Sequence, residues 1–173
     1  MGFKGQDLGP VIVMGVSGSG KTTLGTALAK RLGVEFIEGD SLHPAENIAR
    51  MSAGTPLTDE DRWPWLANIA RAVSAKPNSV VSCSALKRVY RDRLRQGIGP
   101  DLRFVCLMVP RPELERRMAK RRGHFMPPGL LDSQLAALEP PTDEGDALIL
   151  DGTAPPDSNA GRAIAWLGAG RCN

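Results

Sequence analysis

Gly15-Val16-Ser17-Gly18-Ser19-Gly20-Lys21-Thr22 is the stretch where residue type and spacing speak most directly of chemistry. It fits G-x-x-x-x-G-K-[ST], a loop that holds phosphate. The glycines let the backbone bend tightly and bring its N–H groups against phosphate oxygens. Lys21 is expected to reach the β- and γ-phosphates, and the Thr22 hydroxyl to hold Mg²⁺. A helix that begins at Lys21 points its positive end at the same anion. Gly15, Ser17, Gly18, Ser19, Gly20, Lys21, Thr22 and Thr23 are therefore the candidate nucleotide contacts.

The flanking residues supply the elements that such a loop needs. Pro10 to Met14 reads as a short apolar strand. Leu24, Leu28 and Leu32 then recur every four residues, one face of a helix that stops at Gly33. A glycine-rich turn that binds nothing has no need of this order of strand, loop and helix.

Apolar runs and helical patterns continue to alternate, the mark of a parallel sheet with helices on both faces. The remaining strands are expected at 34–38, 80–83, 102–109 and 147–150. The helices fall at about 44–54, from Thr58 past Val73, and at 87–96, 113–122, 130–139 and 158–167. Thr58 has the form of an N-cap, followed by acidic Asp59, Glu60 and Asp61. One domain over residues 1–173, a three-layer α/β/α sandwich on five parallel strands, accounts for the pattern.

In such sheets, ligands bind beyond the carboxyl ends of the strands. Asp40 follows the second strand; it can take a proton from a substrate hydroxyl, hold Mg²⁺ through water, or cap the next helix. Ser84-Ala85-Leu86-Lys87 follows the third strand, with Arg88 and Arg91 beyond, and Arg62 sits beside Trp63-Pro64-Trp65. Fixed cations there would select an anionic, polyhydroxy ligand. Arg88 and Arg95 read as surface. Arg116, Arg117, Lys120, Arg121 and Arg122 precede Gly123-His124-Phe125. That is where an Arg-rich lid, about 121–129, would close over ATP; the bland reading is an exposed basic helix. His124 is either a substrate ligand or a structural hydrogen-bonder. Trp65 and Trp166 have core spacing.

Composition excludes little but agrees. A net charge of +3, from 22 basic and 19 acidic residues, gives no argument for nucleic acid. No apolar run approaches the roughly 20 residues that span a bilayer, and the N-terminus lacks a signal-peptide core. Cys83, Cys106 and Cys172 match neither a zinc site nor a disulfide framework, and the first two read as buried free thiols. The expected compartment is the cytoplasm, with neither membrane nor nucleic acid as partner.

Together, GVSGSGKTT (15–23), EGDSLHPAENIARMSAGTPLTDEDRWPWL (38–66), CSALKRVYRDRLR (83–95) and GHFMPPGLLDSQLAALEPP (123–141) resemble the gluconokinase family. These are small P-loop kinases related to shikimate and adenylate kinases, and the likeness runs from about Val11 to Leu167. It implies an adenylate-kinase-like fold and ATP-dependent phosphorylation of D-gluconate at the 6-hydroxyl, commonly by a homodimer. It also implies that Asp40 receives the substrate proton, with Lys21 and Arg121 as its catalytic partners. Arg62 and Lys87 would hold the substrate's negative charge, and His43, Ser84 and His124 lie in the same stretches. Gln134 falls where shikimate kinases place an Arg for the carboxylate. Arg117 to His124 is similar to the adenylate kinase pattern R-x-x-x-R-R-x-H, so Arg117 would pack on adenine and Arg121 meet phosphate. Ser41 departs slightly from many relatives.

Shikimate kinases and nucleoside monophosphate kinases share many of these features, although D-R-x-P-W-L is not expected of the latter. A regulatory GTPase needs an N-K-x-D stretch, and none occurs. With 5% aromatic residues there is no basic-aromatic stripe for nucleic acid either.

Overall fold

The computed structural model describes residues 8–121 and 127–170. Strand β1 (Val11–Met14) leads into α1 (Lys21–Leu32), then β2 (Glu35–Glu38) and a 3₁₀ turn (Gly39–Leu42). Next come α2 (Ala45–Ser52), α3 (Asp59–Ala75), β3 (Ser79–Ser82) and α4 (Arg88–Ile98). The chain continues through β4 (Arg103–Met108), α5 (Arg111–Lys120), α6 (Pro128–Ala137), β5 (Ala147–Asp151) and α7 (Pro156–Ala169). The expected elements are all found, with ends moved by a residue or two; α5, α6 and α7 each start two residues early, because Pro112, Pro128 and Pro156 sit in their first turns.

The five strands form one parallel sheet in the order β2-β3-β1-β4-β5. β1 lies at the centre, Ile12 opposite Val81 on one side and Phe104 on the other. Side chains of β1 alternate between faces. Ile12 and Met14 enter a core with Trp65, Ile69, Tyr90, Leu94 and Phe104 from α3, α4 and β4. Val11 and Val13 enter the opposite core with Leu24, Leu28, Leu150, Ala160 and Ala163, from α1, β5 and α7. Burying each of the Val, Leu, Ile and Met side chains among them is worth about 1.5–3 kcal/mol. Both faces are therefore covered, and only the strand ends remain for binding.

Local chemistry fixes the helix ends that matter. At α3 the Asp61 N–H donates to Thr58 Oγ1 at 3.2 Å while the Thr58 N–H donates to Asp61 Oδ2 at 2.9 Å. The reciprocal box holds the first turn, with its acidic residues, in place. The turn after β2 depends on Gly39, where a Cβ would stand 1.9 Å from the Ser82 carbonyl oxygen. No other residue lets β2 end so tightly against β3.

Candidate active site

The phosphate loop joins β1 to α1 as its sequence requires. Gly20 takes φ 97° just before the helix, a left-handed conformation that suits glycine. Ser19 is buried, and its Oγ has no partner among the described residues. Lys21 Nζ donates to its own loop, at the Val16 carbonyl, 3.1 Å. Burial lowers the Lys21 pKa, while Asp40, Cys83 and Glu38 oppose that fall and Arg121 adds to it. Lys21, Asp40 and Arg121 therefore share one electrostatic neighbourhood.

Asp40 stands in the 3₁₀ turn at the carboxyl end of β2. Its side chain reaches solvent, yet the surrounding protein desolvates it and raises its pKa, against the pull of Lys21. The capping expectation fails, because Pro44 is the N-cap of α2 and the Asp40 side chain caps no helix among the described residues. Sequence reasoning passed over Glu38. Its Oε2 accepts from Thr22 Oγ1 at 2.7 Å, and its other oxygen accepts from Ser82 Oγ. The signal lay in the E-G-D spacing, which puts two carboxylates at one strand end. Thr22, Glu38 and Asp40 bring hard oxygen donors to one place, which suits Mg²⁺. No group of three acidic, His or Cys residues able to hold a metal occurs among the described residues.

On the other side of the loop a cavity of about 410 Å³ is lined by Gly18, Gly20, Thr23, Arg117, Arg121 and the segment 152–156. Arg117 is pinned there: it donates to the carbonyls of Gly18 at 3.2 Å, Ser19 at 3.3 Å and Gly152 at 2.8 Å, and to Glu113 at 2.8 Å. The guanidinium thus bridges the phosphate loop and the loop after β5. A larger cavity, about 1030 Å³, opens between Pro10, Asn78 and Leu102 at the amino ends of the strands, away from the phosphate loop.

Of the acceptor-side candidates, Arg62 and Lys87 meet at Tyr90. Lys87 donates to Asp59 at 2.9 Å, and the Tyr90 hydroxyl donates to the same oxygen. Arg62 lies 5.3 Å from the Tyr90 ring centre, and its buried Nε has no partner among the described residues. His43 stacks on Trp65, centroids 4.1 Å apart, and lies 3.2 Å from Asn47 Nδ2. Burial, assisted by Arg62, pushes its pKa down to about 4, so the ring is neutral at pH 7. Ser84 sits at the end of β3, and its carbonyl accepts from the Gly15 N–H at 3.4 Å.

The structure also places Gln134 and the arginines of α4. Gln134 lies on the phosphate loop: Ser17 N–H donates to its Oε1 at 2.7 Å. Arg91 is no pocket cation, being 1% exposed and paired with Glu144, because α4 turns it inward under the loop. There it donates to the carbonyls of Ala85 and Leu86 at 3.0 and 3.1 Å. Ala85 has φ 42°, a strained value worth about 1–3 kcal/mol that the Arg91 contacts help to hold. Arg95 is not free surface either; it binds Asp92, Glu144 and Asp146. Arg88 is 63% exposed. Cys83 and Cys106 are buried free thiols and Trp65 is fully buried, as expected. His124 and most of the expected lid lie outside the described residues.

A family model described as an AAA domain matches residues 11–141. A gluconokinase of Gluconobacter oxydans is 50% identical over 161 residues, covering 91% of this chain and 88% of that protein. The crystal structure of a gluconokinase from Sinorhizobium meliloti is 48% identical with a TM-score of 0.87, covering 98% of this chain and 94% of that one. A shikimate kinase from Bacteroides thetaiotaomicron reaches a TM-score of 0.66 at 21% identity, covering 92% and 98%, which shows a common fold alone. Five parallel strands, a loop-bound Lys21 and half-identical relatives over nearly the whole chain lead to one assignment: the protein belongs to the gluconokinase family of P-loop kinases.

Proposed function

We propose that the protein transfers the terminal phosphoryl group of ATP to the 6-hydroxyl of D-gluconate, giving 6-phospho-D-gluconate and ADP. The geometry supports phosphoryl transfer, and the acceptor rests on the 50% identity to a named gluconokinase. A shikimate-type acceptor has only the shared fold behind it.

Phosphoryl transfer needs positioning and charge neutralisation more than covalent chemistry. The loop N–H groups and Lys21 cradle the β- and γ-phosphates, while Arg117 faces the base and Arg121 the phosphates. Asp40 takes the proton of the attacking hydroxyl; its raised pKa makes it a better base than an ordinary aspartate. Thr22, with Glu38 as its hydrogen-bond partner and Asp40 beside it, would hold Mg²⁺, mostly through water and the nucleotide. When bound, that ion neutralises charge on the phosphate oxygens. Arg62 and Lys87 bind the sugar-acid carboxylate, Lys87 exchanging Asp59 for it. His43 and Ser84 meet hydroxyls, as does His124. A cytoplasmic homodimer is part of the same proposal.

A coupled ADP-release assay with Mg-ATP and gluconate, shikimate, AMP, glucose or no acceptor tests it. Turnover with gluconate alone is the expected result. Turnover with another acceptor overturns the roles given to Arg62 and Lys87, and no acceptor-dependent ADP from folded protein overturns the whole reading.

A further inference from the structure

Gln134 makes two hydrogen bonds to one residue of the phosphate loop. Its Oε1 accepts the Ser17 N–H at 2.7 Å, and its Nε2 donates to Ser17 Oγ at 3.2 Å. The two contacts fix which way the carboxamide faces, since the N–H requires an acceptor. α6 is pressed onto the loop by Leu131, which is buried against Val16 and Leu114. This clasp joins positions 117 apart in the chain.

Ser17 occupies a particular place along the loop. Gly18, Ser19 and Gly20 line the cavity beside Arg117, but Ser17 does not. A nucleotide whose base fills that cavity runs its phosphates away from it, toward Glu38 and Asp40. Ser17 then lies at the end of the loop that a triphosphate reaches and a diphosphate does not. Its N–H is the donor a γ-oxygen would claim, and a neutral carboxamide oxygen already holds it.

We propose that Gln134 reads the terminal phosphate. When ATP enters, a γ-oxygen takes the Ser17 N–H, and Gln134 turns its Nε2 group, a donor, onto the same phosphoryl group. With ADP the Ser17–Gln134 clasp stays closed. The carboxamide suits this exchange because it carries an acceptor and two donors on one plane. Gln134 is thereby a phosphate-contacting residue on the nucleotide side, not a ligand of the sugar acid. The inference rests on the ATP-using reading above, but not on the identity of the acceptor.

The test is calorimetric binding of Mg-ADP and of a Mg-bound, non-hydrolysable β,γ-imido triphosphate, with no acceptor present. Wild type, Gln134→Ala and Gln134→Glu are compared. A hydrogen bond to a charged group is worth enough that Gln134→Ala should lose about tenfold in triphosphate affinity, with ADP affinity unchanged. Gln134→Glu should lose more, because a carboxylate faces the phosphate. Equal losses for both nucleotides overturn the proposal and leave Gln134 as a general prop of the loop. Unchanged binding of both, with a raised KM for gluconate in turnover, also overturns it and returns Gln134 to the acceptor side. Wild-type protein that binds neither nucleotide overturns both this inference and the kinase reading, whereas nucleotide binding without gluconate turnover strikes only the acceptor assignment.

Discussion

Replacing Asp40 by Asn keeps its shape but removes the acceptor for a hydroxyl proton. We expect Asp40→Asn to lower kcat by about 10²–10⁴-fold, the range of general base catalysis, while the KM for ATP stays within about twofold. Glu38→Gln should act differently. The contact to Thr22 Oγ1 survives as a neutral one, so the expected effect is a raised Mg²⁺ requirement, read by titrating activity against magnesium. An Asp40 variant that merely shifts the magnesium optimum would exchange the two roles. At this scale the sequence was informative wherever the residues involved lie close together. The phosphate loop and Asp40 can be read directly, because motif and strand end are adjacent in the chain. Gln134 and Arg91 cannot. Their partners, Ser17 and Glu144, lie 117 and 53 positions away, and a buried arginine is written with the same letter as a solvated one.

α3 shows what an element contributes beyond its residues. Its first turn carries Asp59 and Arg62 toward Lys87 and Tyr90, where the acceptor is proposed to bind, and its later turns tie down the strand end that bears Asp40. Trp65 Nε1 donates to the Gly39 carbonyl at 2.8 Å, and Asn68 donates to the Leu42 carbonyl at 3.0 Å. Removing its cap by Thr58→Ala is expected to cost about 1 kcal/mol, read as a lower urea midpoint. The same variant should raise the KM for gluconate more than that for ATP, because the frayed turn lies on the side proposed for the acceptor. Equal changes in both would detach α3 from acceptor binding. The cap was legible in the sequence, since Thr58 and the acidic turn are neighbours. The tethers of Gly39 and Leu42 were not, because they depend on how α3 crosses the sheet.

Across the whole molecule, the response to acid should come in two stages. His43 ordinarily titrates at 6.5 but here at about 4, because it is buried beside Arg62. Between those values the unfolded chain binds a proton that the folded one refuses, so stability falls as pH drops from 6.5 toward 4. Burial would raise the Glu144 pKa, but hydrogen bonds from Arg91 and Arg95 hold it at about 2, below its usual 4.5. Its contribution is complete above 4.5 and is lost as pH falls toward 2. Urea midpoints measured from pH 7 to pH 2 should therefore decline through both windows. His43→Gln should flatten the upper decline and Glu144→Gln the lower, and a slope that neither variant alters would mean that other groups govern acid unfolding.

The central position of β1 has a consequence for how the protein is made. β1 precedes the other described strands in the chain, yet its neighbours are β3 and β4, and Met14 pairs with Cys106. A nascent chain can wind α1 early, but β1 gains its first partner only when β3 has left the ribosome and its second only with β4. Such long-range pairing slows folding, because loop closure is paid before contacts form. Nucleotide added during synthesis therefore finds no site on the emerging N-terminal segment. Protection of Lys21 against a lysine-reactive probe should appear late and together with that of the β4 amides, as a single step of assembly.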